Sequence, residues 1–484
     1  LIDTPGHVDF TYEVTRALAA CEGAILVVDA AQGIEAQTVA NMYLAMGQDL
    51  AIIPVLNKVD LLAARPEEVM DEIETVFAIP AEETIGVSAK TGLNCKAVLD
   101  AIVDRLPAPE GDPNGAPRAL IFDARYDDYR GVIIYVRMVD GTITQGDKIR
   151  LVQTKASHDA LEVGVMTPGL SKRKELKAGE VGYIIAGIKS VQDVNIGDTV
   201  TILSNADKVE VLAGYKEPQA MVYCGLYPTY PNEYENLRKG LERLRLSDSA
   251  LNFVPESSEA LGQGFRAGFL GLLHMEIVQE RLEREMGLDI VQTAPNVNYE
   301  LVDNDGKVKL IEAASQMPDP THFSEIREPI VRVQTITPSE YVGTIMAICT
   351  DKRGIFINQE YLGSDRVILS YDLPLAEVIF DYHDRMKSAT RGYGTMDYEF
   401  REYRAAPLVK MRIMIASEDV DALSMICHRD FAESRGRALL KRLKKEIPRH
   451  LFQVALQAAV GGKIVARENI AALRKDVTAK CYGG

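Results

Sequence analysis

Leu1-Ile2-Asp3-Thr4-Pro5-Gly6-His7-Val8-Asp9-Phe10 is the stretch on which the fold turns. Its first two residues read as the apolar end of a strand and Pro5-Gly6 as a tight turn. Tyr12, Val14 and Leu18 then mark one face of an amphipathic helix. Strand, turn and helix in that order predict an α/β unit that delivers a carboxylate (Asp3), a glycine (Gly6) and an imidazole (His7) to one loop. Pro-Gly punctuation alone would describe any turn entering a helix, so the reading depends on partners further along the chain.

Composition bounds those partners. The 484 residues are 47% hydrophobic and 26% charged, an ordinary globular balance that leaves room for about three to five domains at roughly 100–200 residues each. No apolar run approaches the roughly 18 residues that a membrane span needs, so any membrane contact is expected to be peripheral. The six cysteines, at 21, 95, 224, 349, 427 and 481, form no C-x-x-C pair, which suits a reducing compartment without a disulfide or zinc framework. The chain starts at Leu1 rather than Met, inside a strand pattern, which predicts that an upstream part is missing. Net charge is −16, against bulk nucleic-acid binding. Yet residues 404–484 hold 16 Lys and Arg against 8 Asp and Glu, a balance of +8 that leaves −24 for residues 1–403. An acidic body with one basic end predicts that this end faces phosphate.

Gly23 to Ala30 is a β-branched run of the buried parallel type, with a helix expected from near Glu35. Ala51 to Leu56 repeats the pattern and ends in Asn57-Lys58-Val59-Asp60. N-K-x-D at a strand end suits guanine: the carboxylate accepts from ring N1 and the exocyclic amine, and adenine would set acceptor against acceptor. Thr84 to Val87 leads into Ser88-Ala89-Lys90, a loop whose backbone can brace the base. No G-x-x-x-x-G-K-[ST] occurs, so the phosphate cradle with its Lys and its Ser/Thr ligand of Mg²⁺ is absent from this sequence. The polypeptide alone is therefore expected to bind GTP poorly and hydrolyse none.

Beyond a Pro/Gly linker at 106–115, the segment from Ala119 to Leu203 alternates in short runs separated by Asp140-Gly141, Gly146-Asp147 and Gly197-Asp198, predicting a small antiparallel barrel. A second linker at Gly214 to Glu217 leads to a βαββαβ order with helices carrying Leu237, Leu241 and Leu244, then Met275, Val278 and Leu282. The Gly-rich passage Gly262 to Gly271 lacks Lys-Ser/Thr and is expected to serve helix–sheet packing. His274 is expected to be a packed helix-start histidine with no carboxylate at metal spacing. Residues 302–326 read as a loop, after which the βαββαβ pattern returns. The basic end holds Arg435, Arg437, Lys441, Arg442, Lys444 and Lys445 on a helix, followed by Lys463, Arg467, Arg474, Lys475 and Lys480, side chains suited to RNA backbone. Cys427-His428 is not expected to be a catalytic pair, because strand neighbours point to opposite faces.

The whole sequence resembles the translational GTPases of the LepA type, the elongation factor 4 family. The residues that carry this are Asp3 to His7, Asn57 to Asp60 and Ser88 to Lys90; Glu328-Pro329-Ile330, Ser339-Glu340-Tyr341 and Pro374-Leu375-Ala376-Glu377; and His428-Arg429-Asp430, Ile464 to Glu468 and Leu473 to Gly484. Elongation factor G shares the first sets but has a large domain between its two ferredoxin-like modules, where this chain has a short connection. The resemblance implies a multidomain α/β and β architecture: a partial P-loop GTPase domain at 1–107, a β-barrel at 116–206, ferredoxin-like α+β domains at 217–301 and 327–403, and a basic α+β C-terminal domain at 404–484.

Functionally, the resemblance implies a ribosome-dependent GTPase that favours back-translocation of tRNAs on stalled or mistranslocated ribosomes. Asp3 would hold Mg²⁺, through water, and Thr4, Pro5 and Gly6 would contact GTP or GDP. His7 would position the attacking water, and Asn57, Lys58, Val59, Asp60, Ser88, Ala89 and Lys90 would hold guanine. The basic end would lie against tRNA in the ribosomal A-site region, and the partners implied are both ribosomal subunits, ribosomal RNA and tRNA. A monomer in the bacterial cytoplasm, peripheral at most to its membrane, is implied. The alternatives are a ribosome- and tRNA-binding module without hydrolysis, or a GTPase of ribosome assembly or initiation.

Overall fold

The computed structural model describes residues 1–189, 193–212, 220–246, 248, 250–362 and 365–473. The expected linker at Gly214 to Glu217 and the motif residues beyond Leu473 lie outside them.

The first domain alternates helix and strand: α1 (Thr11–Leu18), β1 (Gly23–Asp29), α2 (Ala36–Met46), β2 (Ala51–Asn57), α3 (Pro66–Phe77), β3 (Ile85–Gly86) and α4 (Cys95–Arg105). The strands pair in parallel in the order β1-β2-β3. Val28, Leu56, Val39, Met42, Val69 and Ile73 fill the core between this sheet and α2 and α3. Start signals are local: Glu35 and Thr38 form a reciprocal capping box on α2, and Pro66 opens α3 with Glu67 and Glu68 in its first turn. Leu1 to Gly6 carry no regular structure, which corrects the strand-end reading; Pro5 has no amide to donate to a ladder and Gly6 costs the most backbone entropy to fix.

The second domain is all β. Its strands are β4 (Arg118–Asp127), β5 (Gly131–Asp140), β6 (Thr142–Thr144), β7 (Lys148–Leu151), β8 (Ser157–Asp159), β9 (Glu162–Thr167), β10 (Gly169–Arg173), β11 (Glu175–Lys177), β12 (Val181–Ile185) and β13 (Thr199–Ile202). An eight-stranded antiparallel sheet, β10-β9-β12-β5-β4-β13-β7-β8, and the pair β11-β6 enclose one core around Ile121, Ile134, Val136, Ile143, Leu176 and Val200. Two ion pairs seat it on the first domain: Arg16 to Asp123 at 3.0 Å and Arg137 to Glu22 at 2.7 Å.

The third domain comprises β14 (Val222–Pro228), α5 (Tyr234–Arg245), β15 (Asn252–Ser258), β16 (Gly262–Phe269), α6 (Leu272–Met286), β17 (Ile290–Gln292) and β18 (Asn296–Val297). The order β15-β16-β14-β17 is that of a ferredoxin-like split unit. The Gly-rich passage is largely strand β16, and its glycines do not face the helices. Phe265, Ala267 and Phe269 pack toward α5 and α6, whereas a Cβ on Gly264 would overlap the Tyr227 ring on the opposite face. Alternation along a strand gives the helices the large apolar residues and leaves the glycines to β14's tyrosines.

Next come β19 (Tyr299–Asp303), β20 (Val308–Ile311), β21 (Phe323–Pro338), α7 (Val342–Asp351), β22 (Ile355–Leu362), β23 (Arg366–Pro374), α8 (Leu375–Glu377), α9 (His383–Ala389) and β24 (Thr395–Ala405). Val378–Tyr382 forms a π-helical turn between α8 and α9. The expected loop at 302–326 contains the β19–β20 hairpin, which extends this sheet as β20-β19-β21-β23-β22 with β24 on β21. Val308 and Leu310 on its edge strand are more than half exposed, so the alternation carries no core signature. Ile336, Leu362 and Ile368 enter the core of the first domain, and Thr395 Oγ1 accepts from the Ala36 amide at 3.0 Å. This sheet is thereby docked directly on α2.

The last module is β25 (Leu408–Ile415), β26 (Glu418–Asp419), β27 (Met425–His428), α10 (Ala432–Glu446), β28 (Val454–Val460) and β29 (Lys463–Ile470). The sheet runs β26-β25-β28-β29 with β27 also on β25, and α10 covers one face over Met411, Ile413, Leu456 and Ala458. Gly436 permits that approach, since a Cβ there would lie 2.9 Å from Ala458 Cβ.

Candidate functional site

Asn57 closes β2 and ties two loops together: its Oδ1 accepts from the Lys58 amide at 2.8 Å and from the Ala89 amide at 3.0 Å. Those bonds turn the chain sharply enough to put Lys58 in the left-handed region at φ 65°. The Lys58 ammonium reaches across to Asp29 at the end of β1, 2.6 Å away. Burial alone would push the Asp29 carboxyl up, but hydrogen bonds from Lys58 and from the amides of Ala31 and Gln32 bring it below its ordinary value. Asp29 was not among the residues expected from sequence; its position at the end of the run Gly23 to Asp29, level with Asn57 in the parallel register, was the available signal. Val59 is half-buried and its amide donates to Val87 at 3.3 Å, while Asp60 is exposed. Ser88 is fully buried and accepts from the Thr91 amide at 3.2 Å, leaving Ala89 and Lys90 exposed beyond it. The structure therefore brings 57–60 and 88–90 into one hydrogen-bonded surface at the carboxyl ends of β1, β2 and β3.

Asp3, Thr4, Pro5 and Gly6 lie elsewhere, along the outer edge of β1. With Gln37, Thr38 and Asn41 they line a cleft of about 760 Å³. Asp3, Thr4 and Gly6 are exposed. A Cβ at Gly6 would meet only Gln37 Oε1, at 3.8 Å, so its backbone is open on the cleft side. His7 caps the short 3₁₀ turn Val8–Phe10, its Nδ1 accepting from the Asp9 amide at 3.2 Å, and its side chain is 40% exposed. With Nδ1 acting as acceptor, the proton of an uncharged His7 sits on Nε2, which is then the donor of the ring. Among the described residues no group of three His, Cys, Asp or Glu side chains converges as a metal cage. A lone exposed carboxylate instead fits Mg²⁺ held chiefly by water and phosphate oxygens.

His274 is the packed helix-start histidine that was expected, 3% exposed, with its ring edge-on to Phe269 at 5.6 Å. It does have a carboxylate, however: Nε2 lies 2.8 Å from Asp248 Oδ2, a partner brought from 26 residues away by tertiary folding. Burial acts to raise the Asp248 carboxyl, and the bond to His274 overcomes it and holds it below its ordinary value.

At the basic end Arg437, Lys441, Arg442, Lys444, Lys445, Lys463 and Arg467 are all exposed. Arg435 does not belong with them. It turns inward, pairs with the fully buried Glu377 at 2.5 Å and stacks over Phe380 at 4.8 Å. Its place two positions from Arg437 puts it on the opposite side of α10, beside Ala432 and Leu439, and that periodicity was the missed signal. Glu377 also faces Arg353 and Lys352, so it anchors a buried charge cluster between the second ferredoxin-like sheet and the last module. Lys444 is 2.8 Å from Glu468, and Arg437 pairs with Glu433. Arg474, Lys475 and Lys480 lie outside the described residues. Cys427 is buried in the core while His428 lies half-buried at the edge of the sheet, so the two form no pair.

A parallel sheet with joined guanine-type loops, followed by a β domain and two ferredoxin-like units, defines a translation-factor GTPase. Family models match in the same order: elongation factor Tu GTP-binding domain at residues 1–108, elongation factor Tu domain 2 at 131–201, elongation factor G C-terminus at 325–414 and GTP-binding protein LepA C-terminus at 415–484. The chain is 54% identical over its whole length to elongation factor 4 1 of Rhodopirellula baltica and to elongation factor 4 of Clostridioides difficile, and 53% identical to elongation factor 4 of Lactococcus lactis. It covers 80% of each of those proteins. A solved structure from Thermus thermophilus shares the fold at 18% identity, with a TM-score of 0.55 over 84% of this chain and 86% of that one. The chain belongs to the elongation factor 4 family, the LepA-type translational GTPases.

Proposed function

We propose that the protein acts on the ribosome as a GTPase that moves tRNAs backward by one codon on stalled or mistranslocated complexes. The observation that carries this is the match of residues 415–484 to the LepA C-terminus, in a module whose exposed Lys and Arg suit tRNA and ribosomal RNA. GTP hydrolysis belongs to the family, and guanine selection would fall to Asp60, with Asn57, Lys58, Val59 and Ser88 to Lys90 shaping its loop. Asp3 would hold Mg²⁺ through water, and Thr4, Pro5 and Gly6 would flank the phosphates, the open backbone of Gly6 facing them. Bound there, the ion would neutralise charge developing on the phosphate oxygens.

His7 would orient the attacking water through Nε2–H, a positioning role, with Nδ1 already engaged by the Asp9 amide. The 484 residues alone, which contain no G-x-x-x-x-G-K-[ST], should bind GTP weakly. Assays therefore belong on a chain spanning the full length of the relatives. No helix of the described residues is long and apolar enough to cross a membrane. A monomer working in the cytoplasm, at most peripheral to the membrane, is the setting proposed.

The test is a footprint of ribosome position on messenger RNA after adding the full-length protein and GTP to post-translocation complexes. A shift of one codon backward is expected. An unshifted footprint together with a defect only in ribosome assembly or initiation would replace this reading. His7→Ala should cut ribosome-stimulated turnover to a small residual rate and spare GTP affinity; undiminished turnover would remove His7 from the mechanism.

A further inference from the structure

One buried carboxylate joins His7 to two other domains. Asp9 stands two residues beyond His7 and is 7% exposed. Its amide donates to His7 Nδ1, the one hydrogen bond of that ring among the described residues. Its Oδ2 accepts from the amides of Leu273 at 2.8 Å and His274 at 3.3 Å, in the first turn of the 15-residue α6. Its Oδ1 accepts from the Tyr398 hydroxyl on β24 at 3.3 Å. The free amides and the aligned peptide dipoles of a helix start favour a carboxylate there.

The approach is close. A Cβ on Gly271, the residue before α6, would overlap the Asp9 carboxylate, although the extended backbone of Gly271 would accept any residue. The neighbouring Phe10 ring stands 6.3 Å from the His274 ring, which Asp248 fixes from behind. A single side chain of the first domain is thus gripped by α6 of one ferredoxin-like unit and by β24 of the other, while its own amide holds the imidazole.

We propose that Asp9 is the positioning residue that ties the orientation of His7 to the seating of both ferredoxin-like domains on the first domain. A shift of either domain reaches the imidazole through a path of two residues. GTP turnover thereby depends on how the factor is seated as a whole. The proposal rests on the role of His7 given above.

The test uses the full-length protein carrying Asp9→Ala, Gly271→Ala or Tyr398→Phe, each with and without His7→Ala. Ribosome-stimulated kcat should fall about tenfold or more for the first two and less for Tyr398→Phe, while KM for ribosomes and Kd for GTP stay within about twofold. On the residual rate of His7→Ala the same changes should cost nothing further, the non-additivity expected of residues acting through one another. Equal fold-losses in both backgrounds, or a loss confined to KM or Kd, would make Asp9 a merely structural contact and overturn the proposal. Gly271→Ala approaches the contact from the other side, and Tyr398→Phe removes one hydroxyl, so a poorly folding Asp9→Ala does not end the test. If His7→Ala alone leaves turnover intact, the role of His7 fails; if it removes turnover while Asp9→Ala leaves kcat unchanged, only the coupling fails.

Discussion

Residues 57–90 and residues 432–470 are both candidate site regions, and they hold their polar groups in opposite ways. In the first, Asn57 Oδ1 is shared by two backbone amides, Ser88 is fully buried, and Asp60 and Lys90 are presented on loops fixed from beneath. In the second, long basic side chains stand exposed on α10 and β29, and the rigid part is a buried charge cluster around Glu377 at the module's root. Reading a base demands atoms placed within a few tenths of an ångström, so backbone bonds set the geometry. Meeting a phosphate backbone demands charge density over a surface, and mobile ammonium groups supply it.

The strongest way to break this comparison is Glu377→Ala. It strands Arg435, Arg353 and Lys352 without their shared buried carboxylate and should cost about 3–5 kcal/mol, read by chemical denaturation. Loss of well under 1 kcal/mol would mean that the root of the basic module is not rigid in the way described. Next, Asn57→Ala releases the 57–60 and 88–90 loops from one another. Two hydrogen bonds at about 0.5–1.5 kcal/mol each predict that GTP affinity of the full-length protein falls roughly tenfold to a hundredfold. Unchanged affinity would place the geometry of the guanine loops in some other contact.

At the basic surface, Lys441→Ala, Arg442→Ala and Lys445→Ala should each weaken tRNA binding and lower its logarithmic salt slope by about 0.7–0.9, with melting temperature unchanged. Arg435→Ala should do the reverse, lowering stability while sparing the salt slope. If Arg435 and Lys441 behave alike, the division between root and surface is wrong.

The smallest effect belongs to Asp397 on β24, next to Tyr398. Burial pushes its carboxyl from 3.8 up to about 7, against a hydrogen bond from the Tyr398 amide. A group whose folded pKa is raised stabilises the fold fully below its unfolded pKa and loses that contribution as pH rises through the folded one. Melting temperature should therefore decline between about pH 4 and pH 7 in part because of Asp397, and Asp397→Asn should flatten that decline. A variant with the same slope as the parent protein would clear Asp397 of the effect.

The contrast between the two regions also explains what could be read in advance. Asp3 to His7, Asn57 to Asp60 and Ser88 to Lys90 are contiguous loops at element ends, so each candidate group of residues is already adjacent along the chain. The βαββαβ orders follow from helical and strand periodicity, which is local. The hairpin at 299–311 escaped because its edge strand exposes Val308 and Leu310, so no buried stripe marks it. Arg435 escaped because composition counts charges without regard to the face they occupy.

By itself the sequence determined the order of α/β, β and α+β segments, the position of the candidate loops at 3–7, 57–60 and 88–90, and the charge of the last module, because propensity, periodicity and contiguous motifs are written along the chain. Only the tertiary structure decided that Lys58 leans on Asp29, that His274 meets Asp248, that Arg435 belongs to Glu377, and that Asp9 is held by α6 and Tyr398. Each of these pairs a charged or polar group with a partner from about 25 to almost 400 positions away. Desolvation makes such groups seek whatever partner the packed domains bring near, and that choice is made in space rather than along the sequence.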